Sequence, residues 1–509
     1  MDRRIRSILI VGGGTSGWMA AAALKRAVGK TASVTLVESA DIGIVGVGEA
    51  TVPPIRQFNA MIGLDEAPFM RATQASFKLG IQFDDWGAIG DRYIHSFGAY
   101  GLEPDAGQFH QSWLSLREAG YEEALDTFSL CAVAARQGRM AEQSAAPTSP
   151  LAHLHWAYHF DAALYAEHLR AFCEGLGVAR LEGEVVEVAL RPLDGFVDRL
   201  TLKDGRALSA DLFIDCTGFR GLLIEGALKA GYEDWSHWLP VDRAVAVPCA
   251  KVGPVQPYTT ATALQAGWQW RIPLQHRTGN GYVFSSAFLS EDRATETLLA
   301  GLDGEPLADP RVLRFTSGRR KTCWSKNVVA LGLASGFIEP LESTSIHMVQ
   351  SALTKLLLHF PDRDFKPLNI AAYNAKLADE AARIRDFIIL HYHATTRADA
   401  LFWDQVRTMT IPDALAERIA LFKEGALLAP GSDEMFSRTS WAAVLIGQGV
   451  RPAARNPLYD PAGKNALASD FEQLRRRIAR AVDDMPIHDA FLAARGLAAE
   501  AVPRAMASA

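Results

Sequence analysis

Cysteine is scarce in this chain, with five thiols in 509 residues: Cys131, Cys173, Cys216, Cys249 and Cys323. The number is odd and no two form a Cys-x-x-Cys pair, which argues against a disulfide framework and a redox dithiol. Reduced thiols in a cytoplasmic setting are expected. Histidine gives equally little metal signal. His153/His155 and His391/His393 are His-x-His pairs with no carboxylate or third histidine at ligand spacing, so no metal site is expected. Positive charge is not in excess: 52 Lys and Arg stand against 58 Asp and Glu, a formal net charge of −6. Such a balance does not suit nucleic acid, whose binding rests on phosphate neutralisation. Long apolar runs are missing, and none approaches the roughly 18 residues of a membrane span. The basic start, Met1 to Arg6, leads into a short apolar stretch that ends at glycines, so no secretory signal is expected. What is present is the balance of a folded soluble protein. Hydrophobic residues make up 49% and charged residues 22%, enough apolar surface to exclude disorder. The length suggests about three domain-sized units.

The clearest unit lies at the N-terminus. Ser7-Ile8-Leu9-Ile10-Val11 is the continuous apolar run of a parallel strand covered on both faces. Gly12-Gly13-Gly14-Thr15-Ser16-Gly17 opens an Ala-rich helix to about Val28, and a second strand, Val34 to Val37, ends at Glu38. Strand, glycine turn, helix, strand and an acid about 20 residues on form the fingerprint of a dinucleotide site. Gly12 permits the tight turn, Gly14 admits a pyrophosphate to the backbone, and Gly17 lets helix pack on strand. The helix N-terminus then faces the phosphates, and Glu38 is placed to accept from ribose hydroxyls. Only one such fingerprint occurs, so no second nicotinamide fold is expected and electrons should arrive from outside.

Further along, Asp204-Gly205 reads as a hairpin turn, and Asp211 to Gly218 and Asn327 to Leu331 as strands running into glycine turns. Apolar residues then recur at helical spacing from Ser345 to Leu358, Ala371 to His393 and Phe471 to Val482. The expected division is an α/β module over 1–345 and a mostly helical region over 346–509. Asp215 and the Gly332 to Gly336 turn suit the far end of a long cofactor such as flavin adenine dinucleotide (FAD). Ser343, Thr344 or Ser345 is placed to cap the helix that follows, where exposed N–H groups would make an anion site with Glu342 beside it. A capping box with Glu339 or Glu342 as a solvated first-turn charge accounts for the same residues equally well. Trp268 and Trp270, at i and i+2 of a strand, project to one face. They make either a flat wall beside a flavin ring or a core pair.

Taken together these motifs resemble the flavin-dependent tryptophan halogenase family. The resemblance is carried by Gly12-x-Gly14-x-x-Gly17-Trp18, Gly46-Val47-Gly48-Glu49-Ala50-Thr51-Val52-Pro53, Phe77-Lys78-Leu79-Gly80 and His95-Ser96-Phe97-Gly98. Tyr158-His159-Phe160-Asp161, Asp215-Cys216-Thr217-Gly218, Trp268-x-Trp270-x-Ile272-Pro273 and Glu339-Pro340-Leu341-Glu342-Ser343-Thr344 extend it. Tyr373-Asn374, Arg385-Asp386-Phe387, His391-Tyr392 and Phe402-Trp403 carry it to about residue 403.

The resemblance implies an FAD-binding Rossmann-like module of the flavin monooxygenase type with a mostly helical C-terminal substrate region. FAD would be held by Gly12, Gly14, Thr15, Ser16, Gly17, Glu38, Ala50, Val185, Asp215, Leu333 and Ile346. Reduced FAD from a separate NADH-dependent flavin reductase, with oxygen, would oxidise chloride or bromide held at Thr344 and Ser345 to hypohalous acid. Lys78 would relay it to a small electron-rich aromatic substrate of indole type, and Glu342 would take the ring proton. Burial is expected to lower the lysine pKa. His95, Phe97 and Ser343 would line the substrate side, and Trp268 and Trp270 would keep substrate from the flavin. A homodimer is the oligomer considered. Other FAD-dependent monooxygenases and a catalytically silent relative are the alternatives, and Lys78 with the tryptophan box argues against them. Two departures bear on specificity: Ser345 stands where tryptophan-specific members carry Gly, and Gly425 to Arg451 does not match their amino-acid clamp.

Overall fold

The computed structural model describes residues 2–39, 48–102, 108–431, 433–459 and 463–498. Gly46 and Val47, in one of the quoted motifs, and the 501–509 tail lie outside the described residues. The chain divides into two compact units, each assembled from three segments.

The first unit comprises Met1–Thr73, Phe160–His237 and Phe315–Ala382. Its centre is a sheet in the order Trp324–Ser325, Val328–Ala330, Leu212–Asp215, Ser7–Val11, Ser33–Glu38 and Ala179–Glu182. All neighbours run parallel except the first pair. Ile10 sits between Leu36 and Ile214 and is fully buried, which is why Ile8 to Val11 carries no polar alternation. Helix Thr15–Val28 follows the glycine turn, with Gly17 to Leu24 buried. Its run of alanines lets it lie close to helix Ala162–Gly175, whose Cys173 thiol donates to the Trp18 carbonyl at 3.5 Å. That second helix starts at Asp161, whose side chain accepts from the Ala163 and Leu164 amides. Beneath the sheet Leu9, Val37, Phe213, Leu223 and Val328 form one apolar cluster.

The second unit comprises Gln74–His159, Trp238–Arg314 and Arg383–Ala509. Its seven-stranded sheet runs Arg311–Arg314, Arg243–Ala250, Arg277–Phe284, Gly267–Pro273, Thr259–Leu264, Gly80–Asp84 and Arg92–Ser96. Only Thr259–Leu264 and Gly80–Asp84 are parallel neighbours. A short ladder pairs Ser76–Lys78 with Ala157–Phe160. The unit also holds helices Phe109–Glu118, Leu130–Arg136, Glu291–Ala300, Leu401–Thr408, Asp413–Gly425, Arg438–Gly447, Lys464–Asp483 and His488–Ala494.

Among the described residues no strand follows Phe337, and helix Ser345–Leu358 has the bounds its periodicity suggested. The compact units, however, do not meet at a single boundary near residue 345. The parallel sheet draws strands from residues 7 to 330, and helix Ser345–Leu358 packs against Thr15–Val28, so it belongs with the first unit. Helicity was readable locally; the interleaving depends on long-range pairing that no local pattern carries.

Candidate active site

The glycine turn of the first unit has two glycines that the chain itself requires. A Cβ on Gly12, at φ +110°, would lie 2.3 Å from the Cys216 carbonyl oxygen, and one on Gly17 would lie 1.9 Å from the Gly12 oxygen. Gly14 differs: a Cβ there meets nothing within 4 Å, and the residue is the N-cap of Thr15–Val28 with no side-chain cap. The Thr15, Ser16 and Gly17 amides precede the first helical hydrogen bond, Trp18 N–H to the Gly14 oxygen at 3.2 Å. An open backbone at a helix N-terminus fits a pyrophosphate.

Glu38 lies over this turn. A Cβ on Gly13 would fall 1.4 Å from its Oε2, while its Oε1 accepts from Arg180 Nε at 2.5 Å. The sequence reading missed Arg180, which lies 142 residues away on a neighbouring strand. The Gly332–Ala334 turn, which carries Leu333, sits on Ser16: a Cβ on Gly332 would be 2.2 Å from the Ser16 Oγ. Arg320 fixes this turn by donating to the Ala334 oxygen at 3.1 Å and to Glu225 at 2.9 Å. Ile346 is buried in the first turn of Ser345–Leu358, and Ala50 is buried beside Glu49, whose carboxyl burial pushes up to about 7. Neither Arg320 nor Glu49 was among the expected site residues.

Two expected cofactor residues have a structural use. Val185 lies in the apolar cluster beneath the sheet. Asp215 is fully buried and accepts from the Thr217 amide and hydroxyl at 3.0 and 2.6 Å and from the Leu223 and Ile224 amides, both at 2.8 Å. Its carboxylate thus builds the Cys216–Thr217 corner against which Gly12 packs.

The residues expected to hold an anion lie in the same unit. Glu342, Ser343 and Thr344 are buried, and Ser343 holds a left-handed φ of +58°, uncommon for a residue with a side chain. The N-cap of Ser345–Leu358 is Thr344, whose side chain makes no capping hydrogen bond. The Thr344 Oγ1 is buried without a partner, and the first helical bond is Met348 N–H to the Thr344 oxygen at 2.9 Å. A buried hydroxyl and unused amides at a helix start suit a desolvated anion. The helix is anchored farther along. Glu380 accepts from the Ser351 hydroxyl at 2.7 Å and from Lys355 Nζ at 3.0 Å, and His347 Nε2 lies 3.5 Å from it. Burial opposes the charge on Glu380, yet these partners hold its carboxyl down at about 2.

Lys78, His95, Phe97, Trp268 and Trp270 all belong to the second unit. Lys78 is fully buried at the end of strand Ser76–Lys78, with its Nζ 5.4 Å from the Phe97 ring centroid. The Phe97 amide donates to the Leu79 oxygen at 2.8 Å, which keeps the ring beside the lysine. His95 lies 5.7 Å from Phe387 and 6.2 Å from Phe436, centroid to centroid. Phe387 stacks on Phe436 at 3.8 Å and meets the edge of Trp441 at 5.0 Å. Phe436 was not foreseen, because no local pattern brings it near His95. Trp268 and Trp270 share a face of Gly267–Pro273 with ring centroids 6.1 Å apart. Trp270 lies over Gly281, where a Cβ would be 2.1 Å from its ring.

A nucleotide cradle at the first βα turn of a parallel sheet, met by later loops at Gly332 and Ser345, defines a Rossmann-type flavoprotein. The comparison with known proteins narrows the class: the family model for tryptophan halogenase matches residues 7–464, and the chain belongs to that family. It is 37% identical to the tryptophan 6-halogenase SttH of Streptomyces toxytricini, over 96% of this chain and 98% of that protein. Among solved structures, the flavin-dependent halogenase Xcc4156 of Xanthomonas campestris superposes with a TM-score of 0.95 at 45% identity, covering 98% and 100% of the two chains. The flavin-dependent halogenase BrvH of Brevundimonas sp. BAL3 superposes with a TM-score of 0.93 at 46% identity, covering 97% and 100%. The protein is a flavin-dependent halogenase that uses FAD and halide, with reduced flavin supplied by a separate reductase, as is general in its family. Among the described residues no helix is long and apolar enough to cross a membrane.

Proposed function

We propose that this halogenase transfers chloride or bromide to an indole-type arene other than free tryptophan, through Lys78 and Glu342. Bound reduced FAD supplies, with oxygen, the oxidising equivalents that turn halide into hypohalous acid. The amides of Thr15, Ser16 and Gly17 seat the pyrophosphate, Glu38 accepts from ribose, and the turn at Leu333 together with Ile346 borders the cofactor. Thr344 Oγ–H and the Ser345 amide donate to the halide.

Lys78 donates a hydrogen bond from its ammonium to the oxygen of hypohalous acid, which leaves the halogen electron-poor. The ring attacks the halogen, the halogen–oxygen bond breaks, and the lysine proton leaves with the hydroxide as water. Glu342 takes the proton the ring loses, and the neutral amine and the carboxyl each return to their starting protonation by exchange with water. Hypohalous acid and arene thus give haloarene and water. The observation that carries this reading is a lysine with no solvent exposure whose Nζ lies 5.4 Å from the Phe97 ring centroid, in the family motif Phe77-Lys78-Leu79-Gly80.

The substrate reading rests on two features. The Gly425–Arg451 segment supplies Phe436 and Trp441 to an aromatic cluster, with Arg418 over the Trp441 ring at 4.4 Å and already paired to Glu434 at 2.8 and 2.9 Å. The chain is more similar to the flavin-dependent halogenases Xcc4156 and BrvH, at 45% and 46% identity, than to the tryptophan 6-halogenase SttH, at 37%. The test is a matrix of tryptophan and indole, each with chloride or bromide, in the presence of a flavin reductase, NADH and FAD, with products counted by mass. Indole with bromide is the expected best combination, since bromide is the more weakly hydrated and more easily oxidised ion. Tryptophan with chloride as clear optimum would refute the substrate reading.

A further inference from the structure

The strand that ends in Lys78 carries a buried histidine on its partner. Ser76 pairs with His159 and Lys78 with Ala157 in an antiparallel ladder. His159 therefore shares a face with Ser76 and Lys78, on the diagonal that spans about 7–8 Å between backbones and that a lysine side chain reaches across. Both Lys78 and His159 have 0% exposure.

The hydrogen bonds fix the imidazole tautomer. The single Ser76 hydroxyl proton goes to the Pro273 oxygen at 2.7 Å, so Ser76 Oγ accepts from His159 Nδ1–H at 3.3 Å. His159 Nε2 then carries the lone pair and accepts from the Thr259 hydroxyl at 2.9 Å. Burial holds His159 well below the usual histidine range, and the charge of Lys78 pushes the same way. His488 is itself kept uncharged, its pKa pushed down to about 4 by burial, with Lys251 adding to the shift and Asp489 and a backbone bond opposing it. It accepts from the Phe77 amide at Nε2, 3.1 Å, and donates from Nδ1 to the Val255 oxygen at 2.9 Å.

We propose that His159 is a positioning residue for Lys78: clamped as the uncharged Nδ1–H imidazole between Ser76 and Thr259, it fixes the lysine strand and leaves Lys78 as the group there that carries the proton. The inference rests on the reading of Lys78 given above. A second positive charge beside the ammonium would drive the lysine to release its proton, and with it the hydrogen bond to hypohalous acid. His159 avoids this because burial disfavours its charged form and its one basic nitrogen accepts from Thr259.

The experiment measures halogenated product per flavin reoxidised, and the flavin reoxidation rate, across pH in the full-length enzyme loaded with FAD. His159→Gln offers an amide N–H to Ser76 and an oxygen to Thr259 without titrating, and it should keep wild-type coupling at every pH. His159→Ala should lower coupling tenfold or more with flavin reoxidation unchanged. Thr259→Val frees Nε2 to take a proton, so its coupling should fall toward acid pH, and the Thr259→Val/His159→Gln double variant should restore it. Wild-type coupling in His159→Ala, a wild-type pH profile in Thr259→Val, or a loss in His159→Gln as deep as in His159→Ala would overturn the inference. Should His159→Ala fail to fold, the other variants decide the matter. Lys78→Ala run in parallel separates the two readings. If it retains halogenation, the role of Lys78 falls and the inference with it. If it is inactive while the His159 and Thr259 variants behave as wild type, the inference alone falls.

Discussion

Substituting Gly14 and Gly17 should have opposite consequences, although both belong to one motif. A Cβ on Gly14 enters open space at an extended backbone (φ −72°, ψ −178°) that any residue adopts, so Gly14→Val should leave the apo-protein's stability within about 0.5 kcal/mol of wild type. The added branches occupy the approach to the helix N-terminus, and forcing a ligand past them costs about 1–3 kcal/mol, as overpacking does. At 1.4 kcal/mol per decade this weakens FAD binding by roughly 5- to 150-fold. Gly17→Ala instead places a methyl 1.9 Å from the Gly12 oxygen, a backbone atom that cannot swing aside, so the turn must open. Stability should fall by about 1–3 kcal/mol or more, and FAD affinity with it. Thermal and urea unfolding of the apo forms, with titration calorimetry of FAD, separates the two effects. Wild-type FAD affinity in a folded Gly14→Val protein would show that the pyrophosphate lies elsewhere. A Gly14→Val protein as unstable as Gly17→Ala would show that the turn has no open side.

Three further outcomes follow from the same structure. Thr344→Val removes a buried hydroxyl that has no protein partner, so the fold should be unaffected. Steady-state kinetics should then show the KM for halide rising roughly 10- to 150-fold, the worth of about 1.5–3 kcal/mol for a hydrogen bond to an ion. Asp215→Asn sets an amide group against buried N–H donors that now point at a carboxylate, and chemical denaturation should show a loss of about 2–5 kcal/mol, with weaker FAD binding because the Thr217 corner shifts. Burial pushes His110 and His488 down to about 4, against about 6.5 in the unfolded chain. Between these values the unfolded chain binds more protons, so stability falls as pH drops from about 6.5 to 4, by about 3 kcal/mol per histidine. Unfolding at pH 7 and 4.5 should show that loss, with His488→Gln removing its share.

The parts of this molecule that were legible in the sequence are those fixed by short-range pattern. The run Ile8 to Val11, the glycine turn, the Ser345–Leu358 helix and the paired faces of Trp268 and Trp270 each follow from spacing within a dozen residues. The Thr344 N-cap was legible as a position, but its unpartnered hydroxyl was not, since capping and anion binding use the same residue types. Asp215 shows the limit in another way: an acid at a strand end reads as a cofactor residue, and only the fold adds that its carboxylate also accepts from amides eight and nine residues later. Arg180 on Glu38, Arg320 on the Gly332–Ala334 turn and Glu380 beside helix Ser345–Leu358 were hidden because each acts across a long stretch of chain. Lys78 was the opposite case. Nothing in its own neighbourhood separates a catalytic lysine from a surface one, and the family motif supplied the reading that its complete burial now supports.

The central claim is that Lys78 carries the halogen step and nothing before it. The direct measurement is product mass and hypohalous acid release in wild type and Lys78→Ala, each supplied with a flavin reductase, NADH, FAD, bromide and indole. Wild type should give the paired-isotope mass of bromoindole. Lys78→Ala should consume oxygen and reduced flavin at the wild-type rate, release hypobromous acid to a thiol or amine trap, and brominate indole at a rate at least a hundredfold lower once the trap is present. An oxygenated rather than brominated product from wild type, or trap-resistant bromination by Lys78→Ala at the wild-type rate, would contradict it.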